Sequence, residues 1–313
     1  MAKLADLPPY ATGLPDGDYS IGPDYTPAPE LTPRDDVPHG RVEKFTMDST
    51  DSKFYSGISR GTPGVVPYKR AVTVYIPSQY VPGTPAPVIV TADAYRPQLP
   101  TILDNMIAAH RLPVVIAVLI ANGGGDGPGS ERGLEYDTVS GKYTEFVEAE
   151  VLPRVEKDYN VVLSKDPEAR MTLGGSSGGA VAFTMLWFHP ELYHRSIIYS
   201  GTFVNQQAGP DLPHGAWEYH ENLIPKSPVK PFRVWMEVGQ NDNGATSAGN
   251  GFHNWVIANQ NMAEVMKAKG YHYQLVYAKG AGHTDAKAIN QTLPQALEYV
   301  WRGYPTTPAA AAK

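Results

Sequence analysis

The chain has 313 residues, a length that α/β enzymes reach as one domain. Hydrophobic residues make up 42% and charged residues 19%, a balance that excludes an intrinsically disordered chain. The net charge of −6 argues against a nucleic-acid partner, which would require a basic face. The absence of cysteine excludes disulfides, thiol catalysis and metal–thiolate sites.

The sequence predicts no membrane association, because its longest apolar run, 112–121, is too short to span a bilayer. No signal peptide is visible at its start. We expect a periplasmic or secreted protein whose leader has been removed, with a cytoplasmic location still open. The oligomeric state also stays open.

Proline, glycine and aspartate interrupt the first 41 residues so often that no helical or strand periodicity develops. We interpret residues 1–41 as an extended lead-in segment that lies over the main domain, since its tyrosines favour docking. A disordered tail is the alternative. The main domain is predicted to occupy residues 42–305, and the alanine-rich residues 306–313 are expected to form a frayed tail.

Short β-rich runs alternate with helical stretches through the main domain. The predicted strands are 71–76, 87–91, 114–121, 170–173, 196–199, 233–238 and 274–278. The predicted helices are 100–110, 142–159, 180–188, 254–269 and 294–301. This alternation predicts an α/β fold with a mostly parallel central sheet flanked by helices. Ligands bind such sheets beyond the carboxyl ends of the strands, so the loops there are where chemistry is expected.

The glycine-rich run 173–179, Leu-Gly-Gly-Ser-Ser-Gly-Gly, follows a predicted strand and opens a predicted helix. It contains the pattern G-x-S-x-G, in which a serine on a sharp turn projects its hydroxyl above the sheet. The pattern fits in two registers, which make either Ser176 or Ser177 the nucleophile. A phosphate cradle is an alternative for such a turn, but no G-K-[ST] follows, which excludes a Walker-type loop.

The segment 170–180, with Trp-Phe-His-Pro-Glu at 187–191 and Ser-Gly-Thr-Phe at 200–203, resembles the putative esterase family of α/β hydrolases. That family includes esterase D, enterochelin esterases, feruloyl and acetyl-xylan esterases, and the antigen 85 mycolyltransferases. Further similar segments are 131–137, 239–242, 255–259 and 280–283, although Gly133 stands where the family pattern Arg-Ser-Leu-Glu-Tyr-Asp has serine. The resemblance implies the α/β-hydrolase fold, and the family's G-x-S-x-G-G elbow implies that Ser176 is the nucleophile.

A neutral serine hydroxyl needs a histidine within hydrogen-bond reach, and this fold orders the residues along the chain as serine, acid, histidine. His283 lies just after the last predicted strand, where glycines let its loop fold back over the sheet. His253, on the loop after the preceding strand, is the alternative base. Asp242 follows the strand that ends at residue 238, and both this position and the family resemblance make it the expected acid.

The oxyanion hole is expected to use the backbone N–H of Ser177 and that of Ala94 or Tyr95, on the loop after strand 87–91. The candidate substrate-binding residues are Tyr95, Arg132, Trp217 and Trp255. For each of these side chains, ordinary packing is the alternative.

These residues predict a serine carboxyl-ester hydrolase that works through an acyl-enzyme. The family resemblance points to small-molecule or glycan substrates with aryl, short-acyl or sugar-linked esters. An acyltransferase on the same triad and a non-catalytic ligand-binding homologue are the alternatives. No His-Glu-x-x-His pattern or paired-histidine spacing appears, so we expect neither a metal nor another cofactor.

Overall fold

A mostly parallel sheet of nine strands forms the centre of the computed structural model, which describes residues 4–58, 64–93, 98–248 and 251–306. The strands are β1 (Gly17–Ile21), β2 (Arg41–Asp48), β3 (Lys69–Ile76), β5 (Val88–Ala92), β6 (Ile116–Ile120), β8 (Arg170–Gly175), β9 (Arg195–Tyr199), β10 (Arg233–Gly239) and β11 (His272–Ala278). Two short strands, β4 (Pro85–Ala86) and β7 (Val162–Leu163), form a separate parallel pair. The sheet order is β1-β11-β10-β9-β8-β5-β6-β3-β2, and β3 runs antiparallel to both of its neighbours. The predicted mostly parallel sheet is confirmed.

Helices cover both faces of this sheet. They are α1 (Leu99–Ala108), α2 (Glu131–Tyr136), α3 (Lys142–Phe146), α4 (Leu152–Tyr159), α5 (Ser177–Phe188), α6 (Ile224–Lys226), α7 (Trp255–Lys269) and α8 (Ala286–Val300). On one face, buried residues of α5 and α7 such as Phe183 and Met262 join one hydrophobic core. On the other face, residues of α1 and α8 such as Ile102 and Leu297 join a second core. No helix in the described ranges is long and apolar enough to cross a membrane.

The apolar runs of the sequence form central strands that helices cover on both faces. In β6, for example, all five residues are buried. The last helix, α8, begins at Ala286, well before the predicted start at 294. The Asp285 carboxylate caps its first turn by accepting from the Lys287 N–H at 2.8 Å, and Pro294 lies buried inside the helix. Packing of the buried side of this helix outweighs the backbone hydrogen bond that is lost at Pro294, the residue where the sequence predicted the helix to start.

The lead-in segment docks on the sheet and also contributes an edge strand that the sequence did not predict. β1 pairs in parallel with β11, from Gly17 opposite Gln274 to Ile21 opposite Ala278. The Trp235 indole N–H donates to the Tyr10 hydroxyl at 2.9 Å, which anchors the residues before this strand. A strand of only five residues carries too little periodicity to be recognised alone.

Candidate active site

Ser176 lies on a tight turn between β8 and α5, where its backbone has φ = 59° and ψ = −130°. This left-handed φ is rare for a residue with a side chain, and it turns the hydroxyl away from the sheet. The turn brings the backbones of Gly174 and Gly178 close together. Only glycine fits at position 174, because a Cβ there would lie 2.0 Å from the Gly178 carbonyl oxygen. The Ser176 N–H donates to the Tyr199 carbonyl at 2.9 Å, which fixes the turn to the neighbouring strand.

The structure brings Ser176, His283 and Asp242 into one hydrogen-bonded chain. Ser176 Oγ lies 2.8 Å from His283 Nε2, and His283 Nδ1 lies 2.6 Å from Asp242 Oδ1. Asp242 is only 3% exposed, and its Oδ1 also accepts the Asn243 N–H at 2.7 Å. In the tautomer whose Nδ1 donates to the carboxylate, Nε2 can accept a hydrogen bond from the serine hydroxyl.

Two loops place the imidazole over the serine. Gly239 ends β10 against the loop of His283, where an added Cβ would lie 2.3 Å from the Gly282 carbonyl oxygen. The Thr284 N–H donates to Ser200 Oγ at 2.9 Å, which ties the same loop to the end of β9. Since these are carboxyl ends of neighbouring parallel strands, the sheet itself sets the spacing of the chain of hydrogen bonds.

Thr202 and Trp255 surround the serine hydroxyl. Thr202 Oγ1 lies 3.5 Å from Ser176 Oγ and accepts from the Trp255 indole N–H at 3.2 Å. The Trp255 ring meets the His283 imidazole edge-on, with centroids 5.8 Å apart. Trp255 therefore lies at the site where the sequence placed it. Thr202 was missed, although it belongs to the Ser-Gly-Thr-Phe segment that resembles the family.

An open cleft of about 660 Å³ lies over Ser176. Besides Ser176 and His283, its walls include Asp93, Asp126, Arg132, Gln206, Asn243, His253 and Trp255. His253, the alternative base, lies on the cleft wall with its ring 4.7 Å from that of Trp255. It is His283, and not His253, that is hydrogen-bonded to the serine. Polar groups dominate the described walls.

Trp217, a predicted substrate-binding residue, does not line this cleft. Trp217 is only 7% exposed and packs its ring on His220 and Phe252, with centroid distances of 4.5 and 5.5 Å. The structure therefore does not support the prediction that Trp217 binds substrate. Burying this large apolar ring in the core is more favourable than exposing it to solvent in a loop. Ala94 and Tyr95, the predicted second oxyanion donors, lie outside the described residues.

Arg132 lines the cleft, but its donors are directed at protein carboxylates. Its Nε lies 3.0 and 3.2 Å from the two carboxylate oxygens of Asp93, and its NH1 donates to Asp126 at 2.9 Å. Asp93 follows β5 with a left-handed φ of 60°, accepts from the Asn122 amide at 2.6 Å and donates its N–H to the Tyr136 hydroxyl at 3.0 Å. Asp93 is thus fixed from three sides beside the nucleophile elbow.

Asp137 is a second carboxyl group behind the elbow, and it is only 2% exposed. Burial raises its pKa to about 7, although the nearby Ser177 side chain and the charge of Arg132 oppose the shift. The sequence placed this residue in a family-like segment without giving it a role.

One group within the described ranges has a donor set that suits a metal ion. Ligand atoms of His214, Glu218 and Glu221 lie within 4.8 Å of one another. None of the three residues lines the cleft over Ser176. The spacing His-x-x-x-Glu-x-x-Glu is that of one helical face, and it contains no pair of histidines.

A serine on a strand-to-helix elbow, over the carboxyl ends of a parallel sheet, defines the class of α/β hydrolases. A family model described as "Putative esterase" matches residues 65–300, which is most of the chain. The chain therefore belongs to the putative esterase family and is a carboxylic ester hydrolase, and the resemblance seen in the sequence is confirmed. No curated protein matches the sequence.

Solved esterases share the fold at low sequence identity. A ferulic acid esterase from the anaerobic fungus Anaeromyces mucronatus superposes with a TM-score of 0.62 at 16% identity, over 88% of this chain and 96% of that one. The enterobactin esterase of Shigella flexneri gives 0.60 at 17%, over 85% of this chain and 61% of its own. The feruloyl esterase module of Clostridium thermocellum gives 0.55 at 20%, over 96% and 99%. These similarities establish the α/β-hydrolase fold.

Proposed function

We propose that the protein is a serine esterase in which Ser176 is the nucleophile, His283 the general base and Asp242 the acid that orients it. The observation that carries the proposal is the unbroken chain of contacts, 2.8 Å from serine to histidine and 2.6 Å from histidine to aspartate. These distances are within the range in which a base takes a proton directly from its nucleophile.

In the first half of the proposed reaction, Ser176 Oγ attacks the ester carbonyl carbon while its proton moves to His283 Nε2. The buried Asp242 carboxylate stabilises the imidazolium that forms. Negative charge collects on the former carbonyl oxygen, which the backbone N–H of Ser177 faces at the start of α5, where such groups have no partner inside the helix. His283 then returns the proton to the leaving alcohol, and the acyl group stays on the serine.

In the second half, water replaces the alcohol. His283 takes a proton from the water as its oxygen attacks the acyl carbon, and returns that proton to Ser176 Oγ as the carboxylic acid leaves. The cleft of about 660 Å³ above the serine is open, which gives water a route to the acyl-enzyme.

The polar walls of the cleft favour hydroxylated substrates over long alkyl chains. Asp126, Gln206 and Asn243 offer hydrogen bonds, while the Trp255 indole gives one flat apolar surface beside the serine. A phenolic, sugar-linked or short-acyl ester matches this mixture. A ferulic acid esterase and an enterobactin esterase share the fold, and these neighbours support the same class of substrate.

The test is a hydrolysis panel with the purified chain and two matched serine variants. Nitrophenyl acetate, methyl ferulate, acetylated xylan, a catecholate siderophore and a long-chain nitrophenyl ester cover the candidate groups. Ser176→Ala should lose several orders of magnitude in kcat. Ser177→Ala keeps its backbone N–H and should retain measurable turnover. A fluorophosphonate should label Ser176, and mass spectrometry of the labelled peptide identifies the serine.

Each other outcome points to a defined alternative. Labelling of Ser177 would establish the other register of the elbow. Transfer of the acyl group to an added sugar in preference to water would indicate an acyltransferase. Absence of both labelling and turnover would indicate a ligand-binding homologue. A higher kcat/KM for the long-chain ester than for the phenolic and short-acyl esters would contradict the proposed substrate class.

A further inference from the structure

A second cleft, here called the basal cleft, lies at the opposite end of the sheet from Ser176. It has a volume of about 420 Å³ and includes the first residues of three neighbouring strands, Arg195 of β9, Arg233 of β10 and His272 of β11. The other titratable residues of its wall are Glu168, His194, Lys230, Tyr271 and Arg302. The length of these strands separates the basal cleft from the catalytic cleft by ~20 Å.

The sheet itself collects positive charge in the basal cleft. Arg195 is in register with Arg233, and Arg233 is in register with His272, so these side chains leave adjacent parallel strands on the same face. Such strands are about 4.8 Å apart. Lys230 comes from the loop before β10, and Arg302 from the end of α8. Four basic side chains, three arginines and one lysine, therefore line this cleft in a chain whose net charge is −6.

Two carboxylates neutralise only part of this charge. Glu168 forms an ion pair with Arg195 and lies 2.6 Å from His194. Asp16 lies 2.7 Å from His272 and 3.6 Å from the Arg233 guanidinium. Each of the two carboxylates thus contacts one arginine and one histidine.

Among the described residues, the hydrogen-bond partners of Lys230 and Arg302 are carbonyl groups. Lys230 Nζ donates to the Trp187 carbonyl, and Arg302 NH2 donates to the Leu14 carbonyl at 2.9 Å. Neither side chain forms a salt bridge with any residue in the described ranges. Burial lowers the pKa of Lys230, and Glu191, whose charge opposes this, is hydrogen-bonded to His189. Burial and the adjacent Arg233 also lower the pKa of Arg195, although Glu168 opposes them.

We propose that the basal cleft binds a multivalent oxyanion of the phosphate or polyphosphate class. Guanidinium groups match the geometry of phosphate oxygens, and Lys230 adds a point charge. The anion would relieve the repulsion between partly buried cations, in a place where water screens charge less than at the open surface. The volume of about 420 Å³ leaves room for a pyrophosphate as well as a single phosphate.

Binding would join the two ends of the described chain. Arg302 follows the last helix and contacts Leu14 of the lead-in segment, while Asp16 of that segment contacts His272. An anion held between Arg302 and Arg233 would therefore add a link between the lead-in segment and the sheet. Because the basal cleft is remote from Ser176, the expected effect is on stability and not on the chemistry of ester cleavage.

The test measures binding of sodium pyrophosphate and sodium phosphate to the full chain by titration calorimetry and thermal unfolding. Sodium chloride at matched ionic strength is the salt control. Pyrophosphate should raise Tm more than chloride does, and more than phosphate at equal concentration. A double variant, Lys230→Gln with Arg302→Gln, should weaken pyrophosphate binding at least tenfold. The matched control, Lys53→Gln with Lys157→Gln, removes the same charge from exposed positions outside the cleft and should bind as the unmodified protein does.

Equal effects of chloride and pyrophosphate at matched ionic strength would overturn the proposal. Equal loss of binding in both double variants would also overturn it, because it would reduce the effect to net charge. If the first double variant folds poorly, the 31P resonance of pyrophosphate with the unmodified protein decides the question. Competition by sulfate would support an oxyanion site of broad selectivity, and no saturable shift with the protein would refute the site. Ester hydrolysis by folded variants should be unchanged.

Discussion

Replacing Asp137 by asparagine should change how the stability of the protein depends on pH. The side chain is 2% exposed, and burial raises its pKa to about 7 from an ordinary value of 3.8. Between these two pH values the folded protein holds a proton that the unfolded chain has released. The free energy of unfolding therefore falls as pH rises through this window, by about 1.4 kcal/mol per pH unit for one proton. The whole window amounts to roughly 4 kcal/mol.

Asparagine has the same shape and no charge, so the variant lacks this contribution. Urea unfolding followed by tryptophan fluorescence, at intervals from about pH 4 to 8, gives the free energy of unfolding of both proteins. The variant-minus-unmodified difference should rise with pH by up to roughly 4 kcal/mol and level off above about pH 7. Titrations elsewhere, such as that of buried His220, cancel in this difference. Parallel curves for the two proteins would refute the inference that burial keeps Asp137 protonated.

Asp242→Asn should lower kcat by on the order of 10⁴ with little change in KM, since the amide favours the wrong imidazole tautomer and lies outside the cleft wall; steady-state kinetics decides this. Gly174→Ala should lower Tm and abolish turnover, because its Cβ would lie 2.0 Å from the Gly178 carbonyl oxygen; circular dichroism and activity report both effects. Arg132→Lys should reduce kcat more than it raises KM if the arginine mainly fixes Asp93, whereas a rise in KM alone would indicate a substrate anchor. Prolonged chelation should leave ester hydrolysis intact, and loss restored by a divalent ion would implicate the histidine–glutamate group.

The positions of the elbow, His283 and Asp242 were accessible from the sequence because they depend on local and general rules, whereas the choice of Ser176 over Ser177 came from the family resemblance. The elbow is a short pattern between a strand and a helix, and its glycines are required by backbone contacts a few residues apart. His283 lies 107 residues from Ser176, yet both follow strands of one parallel sheet. Residues at the carboxyl ends of such strands meet at one edge, so chain order and strand ends suffice to select the histidine and the acid.

The direction of individual side chains was less accessible. Trp217 was predicted to face the substrate, because aromatic residues in a loop suit stacking, but it packs in the core beside Phe252. Arg132 was predicted to bind substrate, and the structure shows its donors turned to Asp93 and Asp126. Thr202 has no motif of its own. These outcomes depend on contacts between distant segments, which neither periodicity nor spacing encodes.

The carboxyl groups beside the elbow are arranged so that little uncompensated negative charge faces the place where an oxyanion would form. Asp93 is paired with Arg132, which also contacts Asp126. Asp137 has no such ion pair among the described residues, and its raised pKa keeps much of it neutral near pH 7. An ionised carboxylate next to Ser177 would repel a developing oxyanion through a poorly screened environment. Burial of Asp137 and pairing of Asp93 thus serve the same electrostatic end by different means.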